Sequence, residues 1–328
     1  MRRPIPVVAA AAMLAAVLCA GPVWPGVAGA GTSGTPLVFM LDWFPNPDHV
    51  PLYAAIGAGY FTQAGLNVVL QVPANADDPL KLVAARRVDV AVNYESGVIF
   101  ARSQGLPVRS IGLLVAQPLT TVMYLKRSGI RRPKDLVGRR VGFAVSGLED
   151  AMIDQVLRSD GATKANVTLV NVGFDIVPTL LSRKVDAVIG AYRNVERVQI
   201  EMQGQPVGMF EPERYGVPTF YELVLIANDA ALTTRRPALT RFVQAVGRGL
   251  ALTEAHPDQA FRYYVALNPK LNDAFNRRSF DATLPAYART QRQRRATWAA
   301  FDGWMAARKV IPTAVPPDQL YTNLGGRP

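Results

Sequence analysis

Apolar residues come along this chain in short runs separated by stretches of helical spacing, and the whole alternation occurs twice. Residues 37–41 read as a strand and 49–57 as a helix. A strand follows over 67–72, then a helix opened by Asp77, Asp78 and Pro79 and running through 85, a strand over 88–94, a helix over 95–104 and a strand over 108–115. The second round places strands at 121–126, 140–145, 167–171, 187–190 and 207–210, with helices at 148–159, 177–182 and 192–203 and a strand leading out over 223–227. From residue 237 the strands stop, and helices are expected over 238–254, 258–267 and 298–308. Short strands alternating with short helices predict α/β units with mostly parallel sheets. A helical tail without a sheet of its own has to bury its apolar faces elsewhere, so it is expected to pack on the first unit. That makes lobe 1 discontinuous, 36–117 plus 228–328, with lobe 2 at 118–227 and crossings near Gln117 and Asn228. A ligand then belongs in the cleft between lobes, off the carboxyl ends of the strands.

The N-terminus stands outside this pattern. Arg2 and Arg3 precede an apolar run over 7–20, and Ala28-Gly29-Ala30 supplies a small-x-small cleavage site, so residues 1–30 read as a secretory signal and the mature chain as extracytoplasmic. The run is shorter than the roughly 20 residues a spanning helix needs. Cys19, the one cysteine, lies within the leader, where Leu18 stands in place of the small residue a lipidation signal prefers. The mature chain therefore has no thiol for disulfides, metal or nucleophilic catalysis. Of the 36 basic groups two leave with the leader, and 34 against 25 acidic leave the mature chain at +9. These charges are scattered except for Arg289, Arg292, Arg294 and Arg295, read as a solvated helix face rather than a nucleic-acid patch. Two distant histidines, His49 and His256, give no metal-ligand spacing, and no Gly-x-Ser-x-Gly turn or phosphate loop occurs.

The densest candidate chemistry lies at residues 41–53, where the first strand meets the first helix through Asp42, Trp43, Phe44, Asn46 and His49. Pro45, Pro47 and Pro51 stiffen this corner and remove donors. Trp43 can offer a stacking face or plug a core, while Asp42 and Asn46 offer hydrogen-bonding groups. Ser146, at a strand-to-helix turn, can cap the helix or meet a ligand. Tyr192 and Glu196, read as one helical turn apart on one face, could hold an aminated ring, or Glu196 could simply favour the helix start. Tyr94 and Glu95 end another strand with the same pair of residue types, and Glu222 stands before an apolar strand as sheet edge or cleft residue.

Several blocks occur in one order: Asp42-Trp43-Phe44-Pro45-Asn46, His49-Val50-Pro51-Leu52-Tyr53, Gly59-Tyr60-Phe61, Asp78-Pro79-Leu80, Val141-Gly142-Phe143, Asn171-Val172-Gly173-Phe174, and the run from Asp186 through Tyr192-Arg193-Asn194-Val195-Glu196. With them the chain resembles the periplasmic-binding-protein-like family that includes thiamine-pyrimidine-precursor binding proteins of ABC importers and the fungal enzyme making the thiamine pyrimidine. The resemblance covers nearly all of 36–324. It implies a two-lobed type II periplasmic-binding-protein fold, a pyrimidine ligand held between aromatic rings with a carboxylate on its amino group, and an ABC permease in the inner membrane as partner. Asn194 joins the candidate ligand residues on this ground. No cofactor and a monomeric state are expected. The fungal enzyme resembles a single-turnover catalyst using its own histidine and a lysine-held pyridoxal phosphate. Its lysine and histidine fall here on Asn93 and Gly97 and its cysteine cluster on 217–221, so binding without chemistry is expected. Glu95 departs from the importer pattern, where a neutral residue is usual.

Overall fold

A computed structural model of the chain describes residues 34–144 and 148–324, which leaves the leader with Cys19, and Ser146, outside the described residues. The first round comprises strands β1 (Thr35–Met40), β2 (Leu66–Gln71), β3 (Val90–Asn93) and β4 (Val108–Val115), with helices α1 (Val50–Gly57), α2 (Tyr60–Gln63), α3 (Asp78–Ala84) and α4 (Glu95–Ser103). The second comprises β5 (Thr120–Leu125), β6 (Arg140–Phe143), β7 (Thr168–Asn171), β8 (Ala187–Tyr192) and β9 (Val207–Phe210), with α5 (Glu149–Arg158), α6 (Ile176–Leu181) and α7 (Glu196–Met202). Strand β10 (Leu223–Asn228) leads into α8 (Asp229–Thr234), α9 (Arg236–Ala255), α10 (Pro257–Leu267), α11 (Ala274–Thr283), α12 (Arg295–Ala307) and α13 (Pro317–Leu320).

The strands form two five-stranded sheets, ordered β2-β1-β3-β10-β4 and β7-β6-β8-β5-β9. Each has three parallel strands, β1 to β3 or β6 to β8, and then one antiparallel strand paired on both sides: β10 between β3 and β4, β5 between β8 and β9. Four strands of each sheet run in one direction and one against them, in keeping with mostly parallel sheets. One expectation changes: Leu223–Asn228 is an interior strand of the first sheet, so the return crossing lies between β9 and β10 rather than at Asn228. A buried apolar run can be recognised as a strand from its residues, but not assigned to one of two sheets.

The tail packs on the first unit, as its lack of a sheet requires. Gly249 of α9 lets it approach α1 so closely that a Cβ there would lie 2.2 Å from the Pro51 carbonyl oxygen. The outer edge of β4, a strand buried almost throughout, is covered by bridges from Ser110 to Tyr321 and Val115 to Tyr287, which removes an exposed pairing edge. Arg289, Arg292 and Arg294 are exposed on the segment before α12, and Arg295 opens that helix, so the basic cluster is a solvated connection rather than a helix face. No helix among the described residues is long and apolar enough to cross a membrane.

Candidate functional site

Between the sheets lies a cavity of about 340 Å³, within the range of small-ligand sites. Its first wall is the corner after β1. Trp43 reaches across to the other unit, its ring edge-on to Phe174 with centroids 4.1 Å apart, and Phe44, 49% exposed, tilts onto the same ring. Asp42 is buried beneath them, where one carboxylate oxygen lies 2.9 Å from His49 Nε2 and the other accepts from the Tyr94 hydroxyl at 3.2 Å. His49 Nδ1 accepts the Asn46 N–H at 3.3 Å, so Nε2 carries the proton and donates to Asp42. His49 does not line the cavity, contrary to expectation. Its ring is fully committed to holding Asp42 and the corner. Asn46 lines it, but its side chain caps the next turn by accepting from Asp48 N at 2.8 Å and donating to the Phe44 carbonyl.

The opposite wall comes from β8 and the helix starts beside it. Gly190, with φ of +95°, sits in a bulge where Thr121 and Val122 of β5 pair with Ala191 and Ile189. The extra residue reverses the alternation. Val188 and Ala191 both face the core under the second sheet, and Tyr192 turns to the cavity side. Tyr192 therefore ends a strand, and Glu196 is the first residue of α7; they meet because the Tyr192 N–H donates to Glu196 Oε2 at 2.7 Å, not because they share a helix face. Glu149, unnoticed in the sequence, lines the cavity with Oε2 accepting the Ala144 N–H at 2.9 Å. A Cβ on Gly190 would lie 2.3 Å from its Oε1. Gly190→Ala is accordingly expected to lose about 1–2 kcal/mol of stability from the left-handed backbone alone, read as a lower urea midpoint. An unchanged midpoint would mean that the bulge is not built on this glycine.

Glu222 sits where the two crossing segments meet. Its Oε2 accepts from Leu119 N at 2.5 Å and Thr120 N at 2.9 Å, its Oε1 from Thr120 Oγ1 at 3.0 Å, and the Tyr192 hydroxyl bonds it as well. Those four bonds occupy its acceptor capacity, so it faces the cavity as a tie between crossings. Glu95, fully buried, turns away from the cavity. Its Oε2 accepts Tyr221 N at 2.5 Å, and burial pushes its carboxyl up to about 8. At the first position of α4 the side chain follows the helix face that packs inward, opposite to Tyr94 before it. Asn194 is also away from the cavity, donating from Nδ2 to Asp48 Oδ1 at 2.6 Å and to Thr283 Oγ1 at 2.7 Å. It joins the units rather than facing a ligand.

The electrostatic character is plain. Asp42, Asp48, Glu149, Glu196 and Glu222 all line the cavity, and no lysine, arginine or histidine is among its described lining residues. Burial pushes the Glu196 and Asp48 carboxyls up to about 7, raises Glu222, and holds the Tyr94 and Tyr192 hydroxyls well above the usual tyrosine range. A wall of carboxyl groups with aromatic rings on both sides can accept hydrogens from an aminated, flat molecule. Among the described lining residues no cationic side chain is placed to neutralise an anion.

Among the described residues no group of His, Cys, Asp and Glu is arranged to hold a metal. The profile of the family described as NMT1/THI5 like matches residues 46–260. A putative thiamine biosynthesis protein of Haemophilus influenzae is 38% identical over 278 residues, 84% of this chain and 88% of that one. The formylaminopyrimidine-binding protein of Halalkalibacterium halodurans is 36% identical over 233 residues, 71% of each. The 4-amino-5-hydroxymethyl-2-methylpyrimidine phosphate synthase of Aspergillus parasiticus is more distant, 28% identical over 88% of this chain and 86% of that one. Among solved structures, the alkanesulfonate-binding protein of Xanthomonas axonopodis pv. citri bound to MOPS superposes with a TM-score of 0.72 at 14% identity, over 89% of this chain and all of that one, which gives the fold as the two-lobed periplasmic binding protein.

Proposed function

The chain belongs to the NMT1/THI5-like family, and on that premise we propose that it is an extracytoplasmic solute-binding protein that closes on an aminated thiamine-pyrimidine precursor and passes it, unaltered, to an ABC permease. The observation that carries this reading is the lining: five carboxyl groups, aromatic rings from both lobes, and no cationic side chain among the described lining residues. A sulfonate, the ligand class of the fold neighbour, would meet carboxyl groups and no cationic side chain among the described lining residues. An amino-bearing ring meets acceptors, with Trp43, Tyr94 and Tyr192 offering faces and Glu196 the acceptor for the amino hydrogens.

Binding without chemistry is supported at Asn93 and Gly97. A Cβ on Gly97 would lie 2.1 Å from Asn93 Oδ1, so the asparagine fills the space that a side chain at 97 would need. Neither residue lines the cavity. Asn93 offers no amine for a Schiff base, and an imidazole at 97 would require the asparagine to leave. Calorimetry with hydroxymethylpyrimidine, its formylated amine, thiamine and MOPS tests the reading. Heat of binding is expected from a pyrimidine and none from MOPS, and binding of MOPS with no pyrimidine bound would overturn it.

A further inference from the structure

We propose that Asp48 and Asn194 form a proton-bridged clasp between the lobes: a proton taken from solvent onto Asp48 Oδ2 is donated to Asn194 Oδ1 in the closed protein, and returns to solvent when the clasp opens. Asp48 lies on the corner after β1 in the first lobe and Asn194 follows β8 in the second. Both are about 1% exposed. One bond between them is in place, from Asn194 Nδ2 to Asp48 Oδ1 at 2.6 Å. Two oxygens of this same pair, Asp48 Oδ2 and Asn194 Oδ1, are buried without a hydrogen-bond partner. As carboxylate and amide these two atoms are both acceptors and cannot satisfy each other. One proton on Oδ2 supplies the missing donor and completes an acid–amide pair.

The orientation of the amide is fixed independently. Thr283 Oγ1 donates to the Ser279 carbonyl at 2.7 Å, so it accepts from Asn194, and both neighbours of Nδ2 are therefore acceptors. Three of the polar side chains around Asp48 are committed elsewhere, whereas the buried Ser279 hydroxyl of α11, one turn before Thr283, has no hydrogen-bond partner. His49 is bonded to Asp42 and to Asn46 N, the Tyr264 hydroxyl donates to Asn276 Oδ1 at 3.2 Å, and the Tyr287 hydroxyl donates to the Pro47 carbonyl at 2.5 Å. The titratable groups that face Asp48 are His49 and Asp42 on its own segment and Glu196 at the start of α7, with Tyr264 of α10 and Tyr287 packed beside it. Burial outweighs the Asn194 N–H, and the carboxyl is pushed up to about 7. The sign follows. An acid whose proton is held more tightly in the closed form favours closure at low pH, and that contribution fades as pH rises through about 7.

The test uses the ligand-free full chain, so that its outcome is separate from the identity of the ligand. Small-angle scattering follows the closed-to-open ratio from about pH 5 to about pH 8, and aspartate Cγ resonances of labelled protein follow titration over the same range. Glu196, raised by the same burial, adds its own response, so the decisive quantity is the difference between variants. Asp48→Asn presents amide hydrogens to Asn194 Oδ1 as the protonated acid does. It is expected to remove the Cγ resonance titrating near 7 and to flatten the response by up to about tenfold in ratio per pH unit, while keeping the lobes closed at the alkaline end. Asn194→Ala is expected to flatten the response as well, but with the lobes more open throughout. If Asp48→Asn retains the wild-type response, or no aspartate of the wild type titrates near 7, the clasp is not proton-bridged. Should Asp48→Asn fail to fold, Asn194→Ala and the wild-type titration decide the matter in the same terms.

Discussion

Glu222→Ala is expected to lower the unfolding free energy by about 1–3 kcal/mol for each buried donor it leaves unpaired. The change leaves Leu119 N, Thr120 N and the Thr120 hydroxyl facing a space that no longer contains an acceptor. All belong to the outgoing crossing, and Glu222 belongs to the returning one, so the loss falls where the two lobes are joined. Glu222→Gln should recover part of it, because the amide oxygen can still accept from one of the two N–H groups while its NH2 opposes the other. Urea unfolding read as a shift in midpoint at constant slope measures both. A loss below about 1 kcal/mol for the alanine variant would mean that water replaces the carboxylate, and that the crossings are not held by it.

How far the chain could be read in advance depends on what a side chain's identity encodes. Apolar spacing locates most strands and the long helices, because periodicity reports burial directly. It misses α11, whose apolar stripe is broken by Asn276, Arg277 and Arg278, although Asp273 caps it by accepting from Asn276 N at 2.8 Å and could have marked its start. Residue type also finds the corner after β1, since aromatic and polar groups between prolines have few other uses. Direction is harder. Tyr94 and Glu95 are neighbours of suitable chemistry, yet one faces the cavity and the other is buried behind it. Tyr192 faces the cavity only because of a bulge, for which the isolated Gly190 in a strand was the available sign. Asp48, between Asn46 and His49, and Glu149, in the first turn of α5 where an acid is ordinary for the helix dipole, carry no sequence sign that sets them apart as cavity residues. Phe174, inside a recognised block, became part of the site only when the second lobe brought it against Trp43.

Trp43 and Glu196 should fail in different ways if they hold one aminated ring from different lobes. Trp43→Ala deletes a stacking face, and with it the edge-on contact to Phe174 that spans the cleft. Base-on-aromatic stacking suggests a loss of about 1–3 kcal/mol, roughly ten- to a hundredfold in affinity. Pyrimidines with and without the amino group should weaken alike, because every such ring offers the same face. Glu196→Gln acts on the amino group alone. The new side chain can keep its oxygen on the Tyr192 N–H, where Glu196 Oε2 now accepts at 2.7 Å, and its NH2 then points where the ligand needs an acceptor. Aminated pyrimidines should weaken by about 1.5–3 kcal/mol and a deaminated analogue by less. Because burial pushes Glu196 up to about 7, the comparison belongs at about pH 8, where the wild-type carboxyl is ionised and the contrast is largest. Calorimetry on hydroxymethylpyrimidine and its deaminated analogue gives both differences. Equal losses for the two ligands in Glu196→Gln would reduce Glu196 to a partner of the Tyr192 backbone, and wild-type affinity in Trp43→Ala would make the indole a lobe contact rather than a ligand face.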